Sequence, residues 1–475
     1  MNHQRRNVMS DTHIGVGTCA ALSSGKGKAG VALVRVSGAE AIEISSKVFV
    51  PRGRKLSEVP SNTAAFGDIY SGGEKFDSGI ATVFRAPKSF TGEDTVEICC
   101  HGSEVGISML LAALFESGAV PAGPGEFTKR AFLNGKLDLT QAEAIGELID
   151  AESESAARLS NAKANGLLGK EITRITSSLL GILSAIYAFI DYPDEDIEDT
   201  TNEEMRTAVY MAKSSIEKLL STYDTGRAIA KGVNCAIVGA PNVGKSSMLN
   251  MLCGRNRAIV TDIAGTTRDV ITESVKVGNI TLLLSDTAGI RESDDPVEKI
   301  GVERSFEALE NAELIFLLLD VSRKPSDVDI SVIEKVRSAS GEKHVITVAN
   351  KSDVGGEFSD EIEKLLHGAS LPLPIYISAA NGDGYDKLTE AVESIYPCGD
   401  SEIRSGLILT TARQHSSMKK ALEFLDNALV ALETLTPDMA CSEIENAVAA
   451  LGETDGRNVN EEIVSEIFSH FCVGK

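Results

Sequence analysis

Residues 239–246 combine the residue types and the spacing of a phosphate-binding loop. The segment reads Gly-Ala-Pro-Asn-Val-Gly-Lys-Ser, follows the apolar run 235–238 and precedes a run typical of a helix. In such a loop the glycines let backbone N–H groups surround a phosphate, Lys245 supplies positive charge and the Ser246 hydroxyl can hold Mg²⁺. Because strand, loop and helix follow in this order, we expect the chain to bind a nucleoside triphosphate.

The base is indicated by Asn350-Lys351-Ser352-Asp353, which follows another apolar run. A carboxylate at Asp353 can accept hydrogen bonds from both N1–H and the exocyclic amine of guanine, whereas adenine has neither donor at that edge. Taken alone, the four residues could also form a polar turn after a strand. Their position after the phosphate-binding loop, and the pair Ser378-Ala379 after a further apolar run, predict guanine.

Two segments between these motifs have residues suited to Mg²⁺ and the γ-phosphate. In Asp286-Thr287-Ala288-Gly289 the aspartate would reach Mg²⁺ through water and the glycine would meet the γ-phosphate. In Gly265-Thr266-Thr267-Arg268-Asp269 the residue Thr267 would complete the Mg²⁺ shell from a switch loop. Five elements in this order predict a GTPase domain.

The residue that follows Gly289 sets this domain apart from Ras-like enzymes, which place a water-orienting glutamine there. Here the position is Ile290, whose side chain can neither donate nor accept a hydrogen bond. Another group must therefore hold the water, and carboxylates are available at Asp294, Asp295 and Glu298. Transition-state charge could be stabilised by a monovalent cation near the phosphates, or by an arginine, with candidates Arg255, Arg257, Arg268 and Arg291.

Composition predicts a cytoplasmic protein of several domains. A chain of 475 residues is too long for one ordinary core. Its net charge of -23 argues against a broad nucleic-acid-binding face, without excluding a local basic patch. The 8 cysteines lack zinc-type spacing and are typical of reduced cytosolic thiols. The longest apolar stretch, 179–190, is too short to span a bilayer, and we read no signal peptide.

Hydrophobic periodicity divides the chain into four pieces. Short strand-like runs with one helix at 105–117 predict an α+β domain over residues 1–134, and helical patterns follow over residues 135–230. Alternating strands and helices predict a doubly wound domain over residues 231–396, and residues 397–475 are helical again. Each helical stretch has an apolar face that needs a partner, so we interpret them as one discontinuous α-helical domain with an inserted α/β Ras-like P-loop GTPase domain.

Four strings are more specific than the GTPase motifs, which many families share. They are FTGED at 90–94, PGEFTKRAFLNGK at 124–136, DYPDE at 191–195 and TDIAGTTRD at 261–269. With the domain order and a helical tail that ends in Cys472-Val473-Gly474-Lys475, they resemble the bacterial tRNA-modification GTPase family called MnmE or TrmE. The resemblance covers nearly the whole chain apart from about the first ten residues.

The resemblance implies a homodimer joined through its N-terminal domains, with GTPase domains that associate when GTP and K⁺ are bound. It places K⁺ on Asn242, Thr261, Ile263 and Thr266, and a water-orienting or general-base role on Glu298. Carbonyl and amide oxygens suit K⁺, which would act where an arginine finger otherwise stabilises charge. The expected contacts to GTP are Asn242, Val243, Gly244, Lys245, Ser246, Ser247, Thr261, Asp262, Ile263, Ala264, Gly265, Thr266, Thr267, Asp286, Thr287, Ala288, Gly289, Asn350, Lys351, Asp353, Ser378 and Ala379.

For the N-terminal domain, the resemblance implies a site for a tetrahydrofolate one-carbon donor, a 5-formyl or methylene derivative. It assigns Arg35, Glu97 and Lys136 to the folate, with Lys475 nearby. Arginine and lysine suit folate carboxylates or the pterin carbonyl, and Glu97 could accept from pterin N–H groups. By residue type alone, Arg35, Glu97 and Lys136 would be interpreted as surface charges.

Cys472 is a candidate nucleophile or acid beside Lys475, although such a thiol is more often a packing residue.

The function that follows is a K⁺-stimulated GTPase that acts with an FAD-dependent partner of the MnmG (GidA) type. Together they would add a (carboxymethyl)aminomethyl group to C5 of the wobble uridine of tRNA, and the partner would supply most of the tRNA-binding surface. Two alternatives stay open at this point: a regulatory GTPase, for example in ribosome assembly, and a folate-binding protein gated by its GTPase.

Overall fold

The computed structural model describes residues 17–191, 202–255, 273–284, 309–341, 343–434 and 437–475. The chain divides into two compact units. The first unit contains the residues up to 143 together with residues 455–475, and the second contains residues 144–454. Mixed sheets and helices in both units confirm the predicted multidomain fold class.

Thirteen strands and sixteen helices are numbered here along the described part of the chain. The strands are β1 (Cys19–Leu22), β2 (Ala29–Ser37), β3 (Phe49–Pro51), β4 (Thr63–Ser71), β5 (Glu74–Phe84), β6 (Thr95–Gly102), β7 (Val120–Pro121), β8 (Val233–Gly239), β9 (Glu273–Val277), β10 (Ile280–Leu284), β11 (Leu314–Asp320), β12 (His344–Asn350) and β13 (Ile375–Tyr376). The first eight helices are α1 (Ala41–Val48), α2 (Glu104–Glu116), α3 (Glu126–Leu133), α4 (Leu139–Ile149), α5 (Glu154–Ala164), α6 (Leu167–Asp191), α7 (Asn202–Leu220) and α8 (Tyr223–Lys231). The other eight are α9 (Lys245–Arg255), α10 (Asp327–Ala339), α11 (Ser359–Gly368), α12 (Tyr385–Ile395), α13 (Asp400–Ser405), α14 (Ala412–Thr434), α15 (Pro437–Asp455) and α16 (Glu461–Ser469).

A seven-stranded sheet forms the centre of the first unit, in the order β3-β4-β5-β6-β2-β1-β7. Its strands are antiparallel to their neighbours except β7, which is parallel to β1. Side chains alternate across the sheet. On β2, Val34 and Val36 are buried in the core that α1 and α2 help to form, whereas Leu33 and Arg35 lie on the opposite face and are only half-buried.

One hydrophobic core joins the two helical stretches that flank the GTPase region. Helices α6 and α7 contribute from the first stretch, and α14 and α15 from the second. The buried residues recur at three- and four-residue spacing, the period of a helix face. On α6 they include Leu168, Ile172, Ile175 and Leu179, and on α14 they include Met418, Ala421, Leu425 and Ala428.

The second sheet has the order β13-β12-β11-β8-β10-β9 and is parallel apart from β9. All seven residues of β11 are buried, as expected of a strand covered on both faces. Hydrophobic clusters lie on the two faces, one with residues of α9 and α12 and the other with residues of α10 and α11. This is the doubly wound arrangement predicted for the GTPase domain.

The end of the chain packs with the first unit. Helix α16 contacts α3, and Val473 forms a β-bridge with Pro124. The sequence placed residues 397–475 in one helical domain, whereas the compact units divide the chain at residue 455. Among the described residues, no helix has both the length and the apolar character needed to cross a membrane.

Candidate functional site

The phosphate-binding loop connects the carboxyl end of β8 to the first residue of α9. Asn242 and Gly244 have positive φ angles of 61° and 98°. Left-handed residues in such a loop let successive backbone N–H groups face a common centre, where an anion can bind. A Cβ on Gly244 would lie 2.2 Å from Nδ2 of Asn350, so glycine is required there both by backbone conformation and by space.

The Lys245 ammonium closes this loop. Its Nζ donates hydrogen bonds to the backbone oxygens of Gly239 and Ala240, each at 2.9 Å. Burial lowers the pKa of Lys245, because the charged form loses hydration. A phosphate bound at the loop would supply a negative partner for this partly buried ammonium.

Asn350 connects three motifs that are far apart in sequence. Its Nδ2 donates to the backbone oxygen of Val243 at 2.8 Å, and its Oδ1 accepts from the backbone N–H of Ala379 at 3.0 Å. The side chain is fully buried. The structure therefore fixes the phosphate-binding loop, the Asn350–Asp353 turn and the Ser378-Ala379 loop relative to one another.

Asp353 lies on the exposed side of this turn, where its carboxylate is open to a base edge. The N–H of Ser352 donates to the oxygen of Ile377 at 3.1 Å. Two backbone hydrogen bonds close the Ser378 loop: the N–H of Ser378 donates to the oxygen of Asp383 at 3.0 Å, and the N–H of Gly382 donates to the oxygen of Ser378 at 2.8 Å. A carboxylate presented on two hydrogen-bonded loops has the chemistry required for guanine.

Several predicted residues lie outside the described part of the chain, which omits 256–272 and 285–308. They are Thr261, Asp262, Ile263, Ala264, Gly265, Thr266, Thr267, Asp286, Thr287, Ala288, Gly289 and Glu298, together with the other switch carboxylates and Ile290. Of the proposed Mg²⁺ ligands, Ser246 is described. It is the second residue of α9, directly after Lys245, and its hydroxyl oxygen suits a hard cation beside the phosphates.

Arg35 and Glu97 form a second polar site, in the first unit. They are direct cross-strand neighbours on β2 and β6. Nε and Nη2 of Arg35 approach Oε1 of Glu97 at 2.9 and 2.8 Å. The guanidinium also lies 5.4 Å from the ring centroid of Phe90 and 5.2 Å from that of Phe127. Both charged side chains keep about a fifth of their surface exposed (18% and 21%), so a ligand can reach the pair.

The chain tail docks next to α3, the helix that carries Phe127. The N–H of Phe127 donates to the backbone oxygen of Lys475 at 2.9 Å, and the N–H of Gly125 donates to the oxygen of Cys472 at 3.3 Å. Gly474 has φ of 97°, and a Cβ there would lie 1.9 Å from the Leu22 oxygen. The tail thus places Lys475 and the exposed Cys472 in the unit that contains Arg35.

Lys136 contacts other residues than the Arg35–Glu97 pair. Its Nζ donates to the backbone oxygen of Pro87 at 3.0 Å. Its aliphatic stem lies beside Gly92, where an added Cβ would be 3.4 Å from Cγ of Lys136. Lys136 therefore packs against the loop that contains Phe90, while the structure shows no contact between Lys136 and Arg35 or Glu97 among the described interactions.

Sequence reasoning missed Arg130, a buried arginine in the same unit. Its guanidinium binds Oε1 of Glu126 at 2.8 Å, Oε2 of Glu93 at 3.1 Å and the backbone oxygen of Gly17 at 3.1 Å. Ser37 on β2 also donates to Glu93, at 2.8 Å. Arg130 thus joins two of the family-specific strings to the strand of Arg35. The signal was present, because both strings contain the charged residues involved.

Phosphate-binding loop, guanine-type turn and doubly wound sheet together define a P-loop GTPase. Two family descriptions match the chain: "GTP-binding protein TrmE N-terminus" over residues 18–136 and "MnmE helical domain" over residues 139–472. The second match begins before the GTPase sheet and ends after it.

Curated relatives match over nearly the whole length of both chains. The "tRNA modification GTPase MnmE" of Clostridioides difficile (strain 630) is 38% identical over 461 residues, 96% of this chain and 99% of that protein. The protein of the same description from Ligilactobacillus salivarius (strain UCC118) is 40% identical over 463 residues, 96% of this chain and 98% of that protein. The chain belongs to the MnmE family of tRNA modification GTPases, and is a GTP hydrolase of tRNA modification.

Proposed function

We propose that this GTPase is stimulated by K⁺ and acts with an FAD-dependent subunit to install a (carboxymethyl)aminomethyl group at C5 of the wobble uridine, with a tetrahydrofolate derivative as one-carbon donor. The observation that carries the folate part is the Arg35–Glu97 pair on a face of the first sheet, with the Arg35 guanidinium over the rings of Phe90 and Phe127. The GTP part rests on the loop closed by Lys245 and tethered by Asn350.

The chemistry of the Arg35 site suits a pterin ring with a carboxylated tail. Glu97 offers an acceptor for paired ring N–H donors, and Arg35 offers donors for a carbonyl or carboxylate. Phe90 and Phe127 offer aromatic contact beside them. Lys475 and Lys136 add positive charge in the same unit, and Cys472 adds an exposed thiol that we propose as a nucleophile or acid.

The same sheet face supports the proposed homodimer. A row of apolar side chains crosses four strands of this face. Its successive cross-strand neighbours are Leu33 on β2, Cys99 on β6, Ile80 on β5 and Phe66 on β4. Phe66 and Ile80 are 49% and 46% exposed, which is high for large apolar side chains at the middle of a sheet. A continuous apolar row of this kind is typical of a surface that pairs with another copy.

In the GTPase domain, we propose that K⁺ binds Asn242, Thr261, Ile263 and Thr266, that Mg²⁺ binds Ser246 and Thr267, and that Glu298 orients the water. Asn242 supports the K⁺ assignment because it lies exposed on the phosphate-binding loop, where an amide oxygen can share a cation with the phosphates. Replacing K⁺ by Na⁺ at equal ionic strength should slow GTP hydrolysis strongly. Equal rates in the two salts would remove the K⁺ proposal.

The folate proposal is tested by titrating 5-formyltetrahydrofolate into Arg35→Gln and Glu97→Gln variants by calorimetry. Each should weaken binding by roughly 10-fold or more, because one charge-assisted hydrogen-bonding group is lost. Arg52→Gln is the control, since Arg52 also lies over an aromatic ring, Phe66, and pairs with a carboxylate, Asp68, but it follows β3, away from β2 and β6 in the sheet order. Equal affinity of Arg35→Gln and the original protein would contradict a folate site here.

The tRNA partner is tested separately. We propose that the FAD-dependent subunit provides most of the tRNA-binding surface, because the chain has a net charge of -23. Binding of tRNA by this chain alone should then be weak, and adding the partner should strengthen it. Tight, salt-sensitive binding by this chain alone would contradict the proposal.

A further inference from the structure

A buried carboxylate, Asp320, lies next to the guanine-type turn. Asp320 ends β11 and is paired in register with Asn350, which ends β12. Its side chain is 2% exposed, and its Oδ2 lies 2.8 Å from Nζ of Lys351. Its other oxygen accepts from the N–H and hydroxyl of Ser322, at 3.0 and 2.6 Å. Every oxygen of this carboxylate therefore has a partner, and one partner belongs to the Asn350–Asp353 turn.

Lys351 has an unusual backbone conformation. Its φ is 65°, in the left-handed region that L side chains rarely adopt. Non-glycine residues keep such a conformation where surrounding contacts hold them in it. The N–H of Val354 donates to the Lys351 oxygen at 3.1 Å, and the ammonium is held by Asp320. Lys351 thus has a hydrogen-bond partner at its backbone oxygen and an ionic partner at its ammonium.

The charge on Asp320 is maintained although the residue is buried. Burial acts to raise its pKa, but hydrogen bonds from Lys351 and Ser322 outweigh this and hold the pKa below its ordinary value. A nearby guanidinium, Arg323, has its Nε 3.7 Å from Asp320 but directs its Nη atoms to Asp329. Lys351 is therefore the close ionic partner of Asp320.

We propose that Asp320 is a positioning residue for recognition of the guanine base. By fixing the Lys351 ammonium, it sets the conformation of the turn that presents the Asp353 carboxylate to the base edge. This role of Asp320 in guanine recognition does not depend on folate, K⁺ or the partner subunit.

The first test is Asp320→Asn, which keeps size and the acceptor for Ser322 but removes the charge. We expect the Kd for GDP to rise about 10-fold, mostly through faster dissociation, since a charge-assisted contact is lost. We also expect the preference for GTP over inosine triphosphate, which lacks the exocyclic amine, to fall several-fold. A residue with only a structural role would leave that ratio unchanged.

Asp329→Asn is the matched control. Asp329 is similarly buried and ion-paired, with Arg323 at 2.8 Å, but it belongs to the capping box of α10, where it accepts hydrogen bonds from Ser326. This variant should lower thermal stability and leave both the GDP Kd and the nucleotide preference unchanged. The same change in preference from Asp329→Asn would overturn the proposal.

Lys351→Met keeps the test decisive if Asp320→Asn fails to fold. Lys351 is 35% exposed, and its replacement removes the cation from Asp320 while the two bonds from Ser322 to the carboxylate remain. It should reduce the preference for GTP as Asp320→Asn does, and in the double variant Asp320→Asn should add little to the loss. Unchanged preference in Lys351→Met, or a full extra effect in the double variant, would overturn the proposal.

Discussion

The nucleotide site and the Arg35 site are built in different ways. The nucleotide site lies at the carboxyl ends of neighbouring parallel strands, and its elements are held by bonds to backbone atoms, such as those from Asn350 to Val243 and Ala379. The Arg35 site lies on the face of an antiparallel sheet and depends on side chains, including Glu97 and Phe127. A site at strand ends leaves a local pattern in sequence, whereas one on a sheet face does not.

Charge separates the two units as well. Residues 1–143 and 455–475 contain 17 Lys and Arg against 19 Asp and Glu, whereas residues 144–454 contain 29 against 50. The unit with the proposed folate site is nearly neutral, and the unit with the GTPase domain carries almost all of the negative charge. Electrostatic repulsion of nucleic acid is therefore expected mainly from the second unit.

The largest expected contrast concerns cysteine reactivity. Cys472 is exposed in the unit that contains Arg35, whereas Cys235 is buried in β8 of the nucleotide-binding sheet. Burial raises the pKa of Cys19 to about 12 and that of Cys235 well above its ordinary value. At pH 8 the thiolate, which is the reactive form of a cysteine, is therefore scarce at Cys19 and at Cys235. We expect iodoacetamide to label Cys472 roughly 10³-fold faster than Cys235 or Cys19, as measured by peptide mass spectrometry.

Raising the pH sharpens this test. Because the shifted pKa of Cys19 lies near 12, its labelling should stay slow up to about pH 10 in the folded protein. Denaturant should abolish the difference among the cysteines. Comparable labelling of Cys472 and Cys235 in the native protein at pH 8 would contradict the description of both sites.

The next largest effect should come from Lys245→Met. This change removes the buried ammonium that closes the phosphate-binding loop. Loss of a charged hydrogen-bonding group costs about 2–3 kcal/mol, so GTP affinity should fall roughly 30- to 150-fold. Folate binding by the same variant should be unchanged, as measured by calorimetry with each ligand. A parallel loss of folate binding would show that the two sites are not separate.

A smaller effect is expected from Gly474→Ala in the tail. Its Cβ would lie 1.9 Å from the Leu22 oxygen, at a residue with φ of 97°. We expect the tail to leave its position beside α3 and folate affinity to fall by about 10-fold, in line with strain of roughly 1–3 kcal/mol. GTP affinity should stay the same.

Gly53→Ala provides the control for backbone strain. Gly53 has nearly the same φ, 95°, but an added Cβ would meet nothing within 4 Å. It should cost some stability and leave folate binding intact. If both alanine variants reduce folate affinity equally, close packing of the tail is not what supports the site.

The smallest effect should come from Gly181→Ala, away from both sites. Gly181 lies inside α6, and an added Cβ would meet nothing within 4 Å. Alanine should stabilise the helix by about 0.5–1 kcal/mol. Denaturant unfolding should show this gain, with neither ligand affinity altered. A loss of stability would mean that the packing around α6 is described incorrectly.

Much of the nucleotide site could be predicted from sequence because its motifs are short and ordered along one chain segment. The strand before Lys245 and the helix after it are as predicted. Asp320 was not recognised, because its role depends on the register of β11 against β12, which places it beside Asn350. Strand register between distant segments has no local signal.

Less of the first unit could be predicted from its sequence. Arg35 and Glu97 could be assigned only through resemblance, and the structure places them as direct cross-strand neighbours. Arg130 and the docking of Val473 against Pro124 were not anticipated, since both join segments that periodicity treats separately. Helical periodicity can predict α16 but cannot tell which unit it packs against.

The central claim is that GTP hydrolysis in one unit and a one-carbon donor site in the other serve the same tRNA modification. Its most direct test is mass spectrometry of wobble-uridine nucleosides in cells that lack the gene and carry either Lys245→Met or Arg35→Gln. We predict that both variants fail to restore the modified nucleoside, while purified Arg35→Gln still hydrolyses GTP. Full restoration of the modification by Arg35→Gln would contradict the account.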